Sequence, residues 1–231
     1  MKLLAIDTAS TLCAACVYDT ADETVLGRAA VDIGKGHAEA LMDIIAEALE
    51  GAGCWYPDIG AIAVSVGPGS FTGIRVGVSA ARGLSLALKV PAHGVTTLSA
   101  IAEAARESFP GRRIIAAIDA RRGELYVEDH ARDGRLAVGP MIVNVEDAAS
   151  LTDGDLPVLA GSGAAVIQAA AEASGSAVAY DLAAPGATAD IAIYARLAAS
   201  GSVFGSPPKP IYLRAPDARP QDGFALARTP G

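Results

Sequence analysis

The chain has 231 residues, of which 52% are hydrophobic and 19% charged, a composition typical of an ordered globular protein rather than a disordered one. Its net charge of −8 argues against direct nucleic-acid binding, because domains that grip phosphates are usually basic. No apolar run reaches the roughly 18–20 residues of a membrane helix. Met1-Lys2 leads directly into a predicted strand. We therefore expect a cytoplasmic chain without a signal peptide or membrane association.

The first predicted unit is a β-hairpin, in which the strand Met1–Asp7 is followed by a turn and a second strand, Leu12–Tyr18. Residues 114–127 repeat this pattern, and Ala117-Ile118-Asp119 matches Ala5-Ile6-Asp7. Within each predicted hairpin, a short apolar strand ends in aspartate. The repetition indicates that the chain contains two copies of one design.

A second internal match supports the duplication. Val64–Gly69, which precedes a predicted helix, resembles Val158–Gly163, which precedes the predicted helix Ala164–Ala173. Two hairpins, each followed by a strand–glycine–helix unit, predict a duplicated two-lobe α/β fold. We place the N-terminal lobe at residues 1–103 and the C-terminal lobe at residues 104–231.

The three cysteines are Cys13, Cys16 and Cys54. Cys13 and Cys16 are three residues apart on a predicted strand, so their side chains should point to opposite faces of the sheet. A shared metal ion or a disulfide is therefore disfavoured, and we expect buried thiols of the kind found in a reducing compartment.

The segment His37–Gly51 has the period of an amphipathic helix with an unusually wide apolar face. Its apolar residues cover an arc of about 200°, whereas a surface helix needs a stripe a little over ~100° wide. The excess predicts that two flanks are buried. One flank can face the protein's own sheet, and the other can face either a partner protein or a neighbouring helix of this chain.

The glycine-rich segment Val66–Arg82 follows a predicted buried strand and continues as a helix as far as Leu88. Gly67, Gly69 and Gly73 lack the Cβ atoms that would prevent a close approach to the backbone. One interpretation is a phosphate cradle at a helix N-terminus, although the Gly-Lys-Ser/Thr of a P-loop is missing. The other is a tight turn between strand and helix with Thr72 as the N-cap.

A related pair of interpretations applies to the end of the first strand. Nucleotide-binding folds of the actin, Hsp70 and sugar-kinase type place such an aspartate near phosphate and Mg²⁺, for which carboxylate and hydroxyl groups are suitable. The alternative is a hairpin whose polar side chains make local backbone bonds. The first interpretation gives a vestigial nucleotide site with these residues: Asp7, Ser10, Gly67, Gly69 and Ser70.

Five motifs occur in order along the chain: Asp7–Ser10, Gly36–Leu41, Gly67–Arg75, Asp119–Tyr126 and Tyr212–Ala218. Together they resemble the TsaB (YeaZ) family of bacterial tRNA threonylcarbamoyladenosine biosynthesis proteins. The resemblance covers nearly the whole chain and implies an actin-like ATPase (ASKHA) fold with mixed sheets. It further implies a non-catalytic subunit of the complex that makes threonylcarbamoyladenosine at position 37 of tRNAs reading ANN codons.

The same resemblance implies the partners. TsaB-like proteins bind and activate TsaD through their first two helices, pair with themselves when alone, and are joined by the ATPase TsaE. It implies that tRNA is contacted only through the complex, that ATP and Mg²⁺ are bound by TsaE and TsaD, and that the isolated chain needs no cofactor. We expect these interface residues: His37, Leu41, Met42, Ile45, Leu49, Arg75, Val78, Ser79 and Arg82.

Three expectations accompany this interface. Exchanging Leu41 and Ile45 for charged residues should abolish pairing and leave the fold intact. His37 is either an interface hydrogen-bond donor or a capping or turn residue. The alternative to the whole interface is that both helices are buried within one domain.

The catalytic metal of TsaD-like chains is held by two histidines in Gly-Val-Asn-His-Met-Glu-Gly-His. Here the corresponding segment is Gly94–Ile101, and Thr97 and Ile101 stand at the two histidine positions. Isoleucine cannot bind a metal, and neutral threonine is a poor ligand. We therefore predict no metal site and no catalytic residue in this chain. The rival hypothesis is a small-molecule kinase or ATPase that uses the actin-like nucleotide site.

The C-terminal segment is rich in proline. Within it, Ile211–Arg214 can add an edge strand to a sheet or dock on a lobe. Beyond Pro216 we expect a loose tail.

Overall fold

The computed structural model of the chain describes residues 1–152, 157–174, 181–183, 186–203 and 206–214. The first mixed sheet contains five strands: β1 Lys2–Asp7, β2 Leu12–Asp19, β3 Thr24–Asp32, β4 Ile59–Ser65 and β5 Ala92–Val95. Their order in the sheet is β3-β2-β1-β4-β5. Strand β1 pairs antiparallel with β2 and parallel with β4, which in turn pairs parallel with β5.

Two helices, α1 (His37–Gly51) and α2 (Phe71–Leu88), pack on one face of this sheet and share a core with it. Helix α2 ends at Leu88, as predicted. Its N-cap differs from the prediction: Ser70, not Thr72, accepts the hydrogen bond from the Gly73 N–H. The helix therefore begins at Phe71, because the serine hydroxyl satisfies a backbone donor that lacks a partner within the helix.

The second mixed sheet contains five strands: β6 Ile114–Arg121, β7 Glu124–His130, β8 Leu136–Asn144, β9 Val158–Ala160 and β10 Asp181–Leu182. The same part of the chain forms the helices α4 Val145–Ser150 and α5 Ala164–Ala173. The order of the strands is β10-β9-β6-β7-β8. Strand β6 pairs antiparallel with β7 and parallel with β9, which is the arrangement of β1 with β2 and β4. The duplicated α/β fold is thereby confirmed.

Two further helices, α3 (Thr97–Ser108) and α6 (Ile191–Ala199), pack against each other between the sheets. Helix α3 contributes to the core of the second sheet. Helix α6 lies within the range assigned to the C-terminal lobe, yet it packs on the first sheet, where Tyr194 is fully buried. The core of the first sheet therefore includes a helix from the C-terminal part of the chain, and no single position in the sequence divides the two lobes.

The three cysteines are buried and free. Cys13 belongs to the core on the α1–α2 face of the first sheet, and Cys16 belongs to the core on the α6 face. The prediction that they point to opposite faces is confirmed. Burial raises the pKa of the Cys13 thiol to about 11 and that of Cys16 to about 12, so both thiols are protonated at neutral pH.

Across the described ranges, none of the helices combines the length and the apolar character needed to span a membrane. The segment Ile211–Arg214 docks on both lobes instead of adding a strand. The expectation of a loose tail beyond Pro216 concerns residues outside those that the structure describes.

Candidate functional site

The carboxylate of Asp7 at the end of β1 is fully buried. It accepts hydrogen bonds from the Ala9 N–H at 2.9 Å and from the Thr188 hydroxyl at 2.5 Å. Burial raises the pKa of the Asp7 carboxyl above its usual range, and the hydrogen bonds that it accepts oppose this rise. Thr188 also bonds to the Tyr194 hydroxyl at 2.7 Å, so residues at the start of α6 cover this aspartate.

The glycine-rich turn is closely approached, as the sequence predicted, but the approaching group is the chain's own backbone. A Cβ on Gly73 would lie 2.0 Å from the Thr8 carbonyl oxygen, and one on Gly69 would lie 2.2 Å from the Ala9 carbonyl oxygen. The Thr8 hydroxyl donates to the Gly73 carbonyl at 2.8 Å. The Ser70 N–H donates to the Ala9 carbonyl at 2.7 Å. These contacts favour the interpretation as a tight turn between strand and helix.

The five residues of the predicted nucleotide site do lie around this junction, but the side chains bond locally. The Ser10 hydroxyl accepts a hydrogen bond from the Leu12 N–H at 3.1 Å, and Ser70 caps α2. Gly67 has a φ of 97°, and the Ile74 side chain occupies the space that a Cβ on Gly67 would need. The arrangement explains these residue types through the packing of the turn against α2.

The positions that match the metal-binding histidines lie in α3. Thr97 and Ile101 are both buried. His93 is half-buried on β5, and His130 bonds to the Glu128 carboxylate at 2.9 Å. Within the part of the chain that the structure describes, no group of three or more His, Cys, Asp or Glu residues could hold a metal ion.

Five of the nine expected interface residues are buried within the monomer, so the expectation that they are available to a partner needs correction. Their exposed fractions are His37 7%, Leu41 1%, Ile45 0%, Leu49 3% and Val78 3%. The wide apolar face of α1 is used within the chain, since it packs on β2, β3 and α2. Charged residues at positions 41 and 45 would therefore disrupt the core, contrary to our expectation that the fold would stay intact.

His37 is neither a capping residue nor an exposed donor. The N-cap of α1 is Gly36, whose φ of 92° suits glycine. The Nε2 atom of His37 is buried and has no hydrogen-bond partner among the described residues.

The other four expected interface residues, Met42, Arg75, Ser79 and Arg82, are exposed on α1 and α2. Met42 is 46% exposed, which is unusual for a large apolar side chain. A groove of about 390 Å³ runs between the two helices. It is lined by Ala38, Leu41, Met42, Thr72, Arg75, Val76, Ser79 and Ala80. We call these residues, together with Arg82, the α1–α2 face.

Charges on the two helices are separated. Helix α1 exposes four acids and no base, whereas α2 exposes two arginines and no acid. The acids are Glu39, Asp43, Glu47 and Glu50, and the arginines are Arg75 and Arg82.

Exposed aromatic residues next to this face were missed by the sequence analysis. Phe71 and Tyr212 are 55% and 51% exposed, and their ring centroids are 5.5 Å apart. The guanidinium carbon of Arg75 lies 3.8 Å from the Phe71 centroid. The helical period of α2 could have predicted that Phe71 lies beside Arg75. Tyr212, however, is 137 residues from Arg75 in the chain, and no local pattern in the sequence indicates that the two are in contact.

Two mixed five-stranded sheets of the same order, with helices between them, define a protein of the actin-like ATPase fold class. In agreement with this class, the ROK hexokinase from Thermus thermophilus superposes with a TM-score of 0.53 over 85% of this chain and 98% of that chain, at 17% identity.

The family model described as TsaD, tRNA N6-adenosine threonylcarbamoyltransferase, matches residues 31–202. The structure of YeaZ from Pseudomonas aeruginosa is 27% identical, with a TM-score of 0.73 over 92% of this chain and 99% of that chain. The chain therefore belongs to the family that this model describes, and within it to the TsaB (YeaZ) group, which confirms the resemblance seen in the sequence.

Curated relatives agree with this assignment. The tRNA threonylcarbamoyladenosine biosynthesis protein TsaB of Escherichia coli is 38% identical over 133 residues, which are 58% of this chain and 56% of that protein. An uncharacterized protein of Mycobacterium tuberculosis is 32% identical over 221 residues, 94% of each chain. The chain thus spans little more than half the length of the TsaB of E. coli.

Proposed function

We propose that this chain is a non-catalytic subunit in the biosynthesis of threonylcarbamoyladenosine at position 37 of tRNAs that read ANN codons. In this proposal it binds and activates a TsaD catalytic subunit. The names of the curated TsaB relatives support the pathway. The observation that carries the proposal is the α1–α2 face, where an exposed methionine and an open groove lie on two helices with separated charges.

The α1–α2 face has the properties of a docking surface. An exposed apolar side chain beside a groove, rimmed by charged residues, is the pattern of a protein–protein contact. A second copy related by a two-fold axis would set the acidic α1 of one copy against the arginines of α2 in the other. We therefore expect a homodimer when the chain is alone, which TsaD replaces in a heterodimer.

The region around Asp7 supports the non-catalytic part of the proposal. The turns that a nucleotide-binding relative would offer to phosphate are bonded to each other here. ATP and Mg²⁺ are accordingly assigned to TsaE and TsaD in the assembled complex. The chain's net charge of −8 fits contact with tRNA through the complex rather than through this subunit alone.

The test is a charge placed at the centre of the α1–α2 face. Met42→Asp should weaken binding to TsaD at least about a hundredfold, because an unpaired carboxylate would be buried in the interface. Threonylcarbamoyladenosine formation in a reconstituted reaction should fall in parallel. Calorimetric titration of the full chain with purified TsaD measures the first effect, and nucleoside analysis of the tRNA measures the second.

Leu136→Asp is the matched control. Leu136 is 44% exposed, nearly the same as Met42, but it lies on β8 of the second sheet. This variant should bind TsaD and support modification as the wild type does, with both variants retaining the wild-type melting temperature. Wild-type binding by Met42→Asp, or equal losses in both variants, would contradict the proposal.

A further inference from the structure

Residues 206–214, which we call the strap, run along the first lobe before reaching the second. The Ser206 hydroxyl donates to the Ala92 carbonyl at 3.0 Å. The Ile211 N–H donates to the Val66 carbonyl at 2.9 Å, and the Ile211 side chain packs against the core beneath α1 and α2. The strap is therefore fixed beside the turn from which α2 begins.

The middle of the strap touches the α1–α2 face through one side chain. The Nε–H of Arg75 donates to the Tyr212 hydroxyl at 2.8 Å, and the Arg75 guanidinium carbon lies 5.4 Å from the centroid of the Tyr212 ring. The same guanidinium carbon lies 3.8 Å from the centroid of the Phe71 ring, which itself lies beside the Tyr212 ring. Two aromatic contacts and a hydrogen bond thus hold an arginine that lines the groove in one position.

The end of the strap is bonded to the second lobe. Arg214 donates to the Ala120 carbonyl at 3.1 Å and forms an ion pair with the Glu124 carboxylate. Both partners belong to the β6–β7 hairpin. Only one residue separates Tyr212 from Arg214, so a change in either contact is transmitted through a very short piece of chain.

We propose that the strap couples the α1–α2 face to the β6–β7 hairpin, and that Tyr212 is a recognition residue for the partner bound on that face. This inference rests on the proposed function, since the partner is the catalytic subunit that docks there. Tyr212 and Phe71 extend the groove with exposed aromatic surface, which is enriched at the energetic centres of protein interfaces. The Arg214 contact keeps Tyr212, and through it Arg75, in the orientation that the partner meets.

The test compares four strap variants in calorimetric titration of the full chain with purified TsaD. Tyr212→Ala should weaken binding about tenfold, since it removes an exposed aromatic anchor and frees Arg75. Tyr212→Phe keeps the ring and should weaken binding about threefold. Arg214→Ala should weaken binding about fivefold, within the usual range of coupling between sites. Lys209→Ala, at an exposed strap position, should bind as the wild type does.

A double variant and an exchange measurement test the coupling itself. Because both residues act through one strap, Tyr212→Ala combined with Arg214→Ala should bind no more weakly than Tyr212→Ala alone. In the isolated chain, Arg214→Ala should speed hydrogen exchange at residues 66–75. Fully multiplicative losses, or unchanged exchange at those residues, would overturn the coupling.

The outcomes separate this inference from the proposed function. If Met42→Asp loses TsaD while Tyr212→Ala and Arg214→Ala bind normally, the strap has no part in recognition and the docking face stands. If Met42→Asp binds normally, the proposed function fails, and the exchange experiment on the isolated chain still decides whether the strap links the two lobes.

Discussion

The turns at Asp7 and Asp119 are built alike, but their surroundings differ. In each, the aspartate accepts a hydrogen bond from the backbone N–H two residues later, at 2.9 Å and 2.7 Å. Each turn also donates a backbone N–H to a serine in the strand–glycine segment of its lobe, Ser65 in the first and Ser162 in the second. Asp7 is nonetheless fully buried, whereas Asp119 is exposed.

The repeated sequence determines the local structure of both turns, and tertiary packing determines how deeply each aspartate is buried. The hydrogen bond within the turn is local and recurs in both copies. The burial of Asp7 comes from distant residues, since Thr188 covers its carboxylate and α2 packs on the Thr8–Ala9 backbone. In the first lobe, therefore, the turn stabilises the fold, and the surface that we propose for function is the α1–α2 face.

The largest expected effect is on the contact between α2 and the first turn. Gly73→Ala would place a Cβ 2.0 Å from the Thr8 carbonyl oxygen. We expect it to lower the free energy of unfolding by about 3 kcal/mol or more, because a backbone atom must move. Urea denaturation measures this.

Gly83→Ala in the same helix is the control for this substitution. A Cβ at Gly83 would meet no atom within 4 Å. Since alanine is the better helix former, this variant should be stabilised by about 0.5–1 kcal/mol. Equal stabilities of the two variants would show that α2 does not pack on the turn as described.

A smaller loss of stability is expected when Asp7 or Asp119 is replaced by alanine. Asp7→Ala should lower the free energy of unfolding by about 2 kcal/mol, because it leaves the Ala9 N–H and the Thr188 hydroxyl without their buried acceptor. Asp119→Ala removes the equivalent bond at an exposed position and should cost less than about 1 kcal/mol. Thermal and urea denaturation of both variants measure the difference, and equal costs would contradict it.

The pH dependence of stability gives a smaller effect with a defined sign. Burial raises the pKa of Asp7 in the folded protein, so the folded state binds this proton more tightly than the unfolded state does. The stability that this tighter binding provides is present below about pH 3.9, the pKa of an aspartate in the unfolded chain. It is lost as the pH rises through the pKa of Asp7 in the folded protein. The wild type should therefore lose stability relative to Asp7→Asn as pH is raised from about 4. An opposite slope in paired urea titrations would refute this.

The last prediction is that the isolated chain does not bind nucleotide. Because the first turn and α2 are bonded to each other, the isolated chain should give no binding heat when titrated with ATP and Mg²⁺. Tight binding that disappears in Asp7→Ala would instead favour the small-molecule kinase or ATPase. The same titration of Asp119→Ala is the control, because that residue occupies the equivalent turn.

Much of the fold could be predicted from local pattern. Alternation and turn residues predicted both hairpins, and the matching Ala-Ile-Asp segments predicted the duplication. The small residues of the α2 turn correctly predicted a close approach. The sequence could not say whether a ligand or the chain's own Thr8–Ala9 backbone would make that approach, because periodicity gives no information on which distant segment packs at a turn.

The interface was the least predictable part. The wide apolar arc of α1 predicted a second buried flank that faces either a partner or a neighbouring helix of this chain. The structure shows the second alternative, because the apolar face packs on β2, β3 and α2. In β3, Gly27 allows the approach, since a Cβ there would lie 2.3 Å from the backbone nitrogen of Ala52, just beyond the end of α1. Burial of Leu41 and exposure of Met42, adjacent in sequence, depend on these contacts between elements.

We propose that function lies on the exposed α1–α2 face and not at the buried Asp7 turn. Hydrogen–deuterium exchange of the full chain, measured with and without purified TsaD, tests it most directly. We expect TsaD to slow exchange in residues 37–51 and 71–82. Protection confined to residues 7–10 or to the second lobe, with α1 and α2 unchanged, would contradict it.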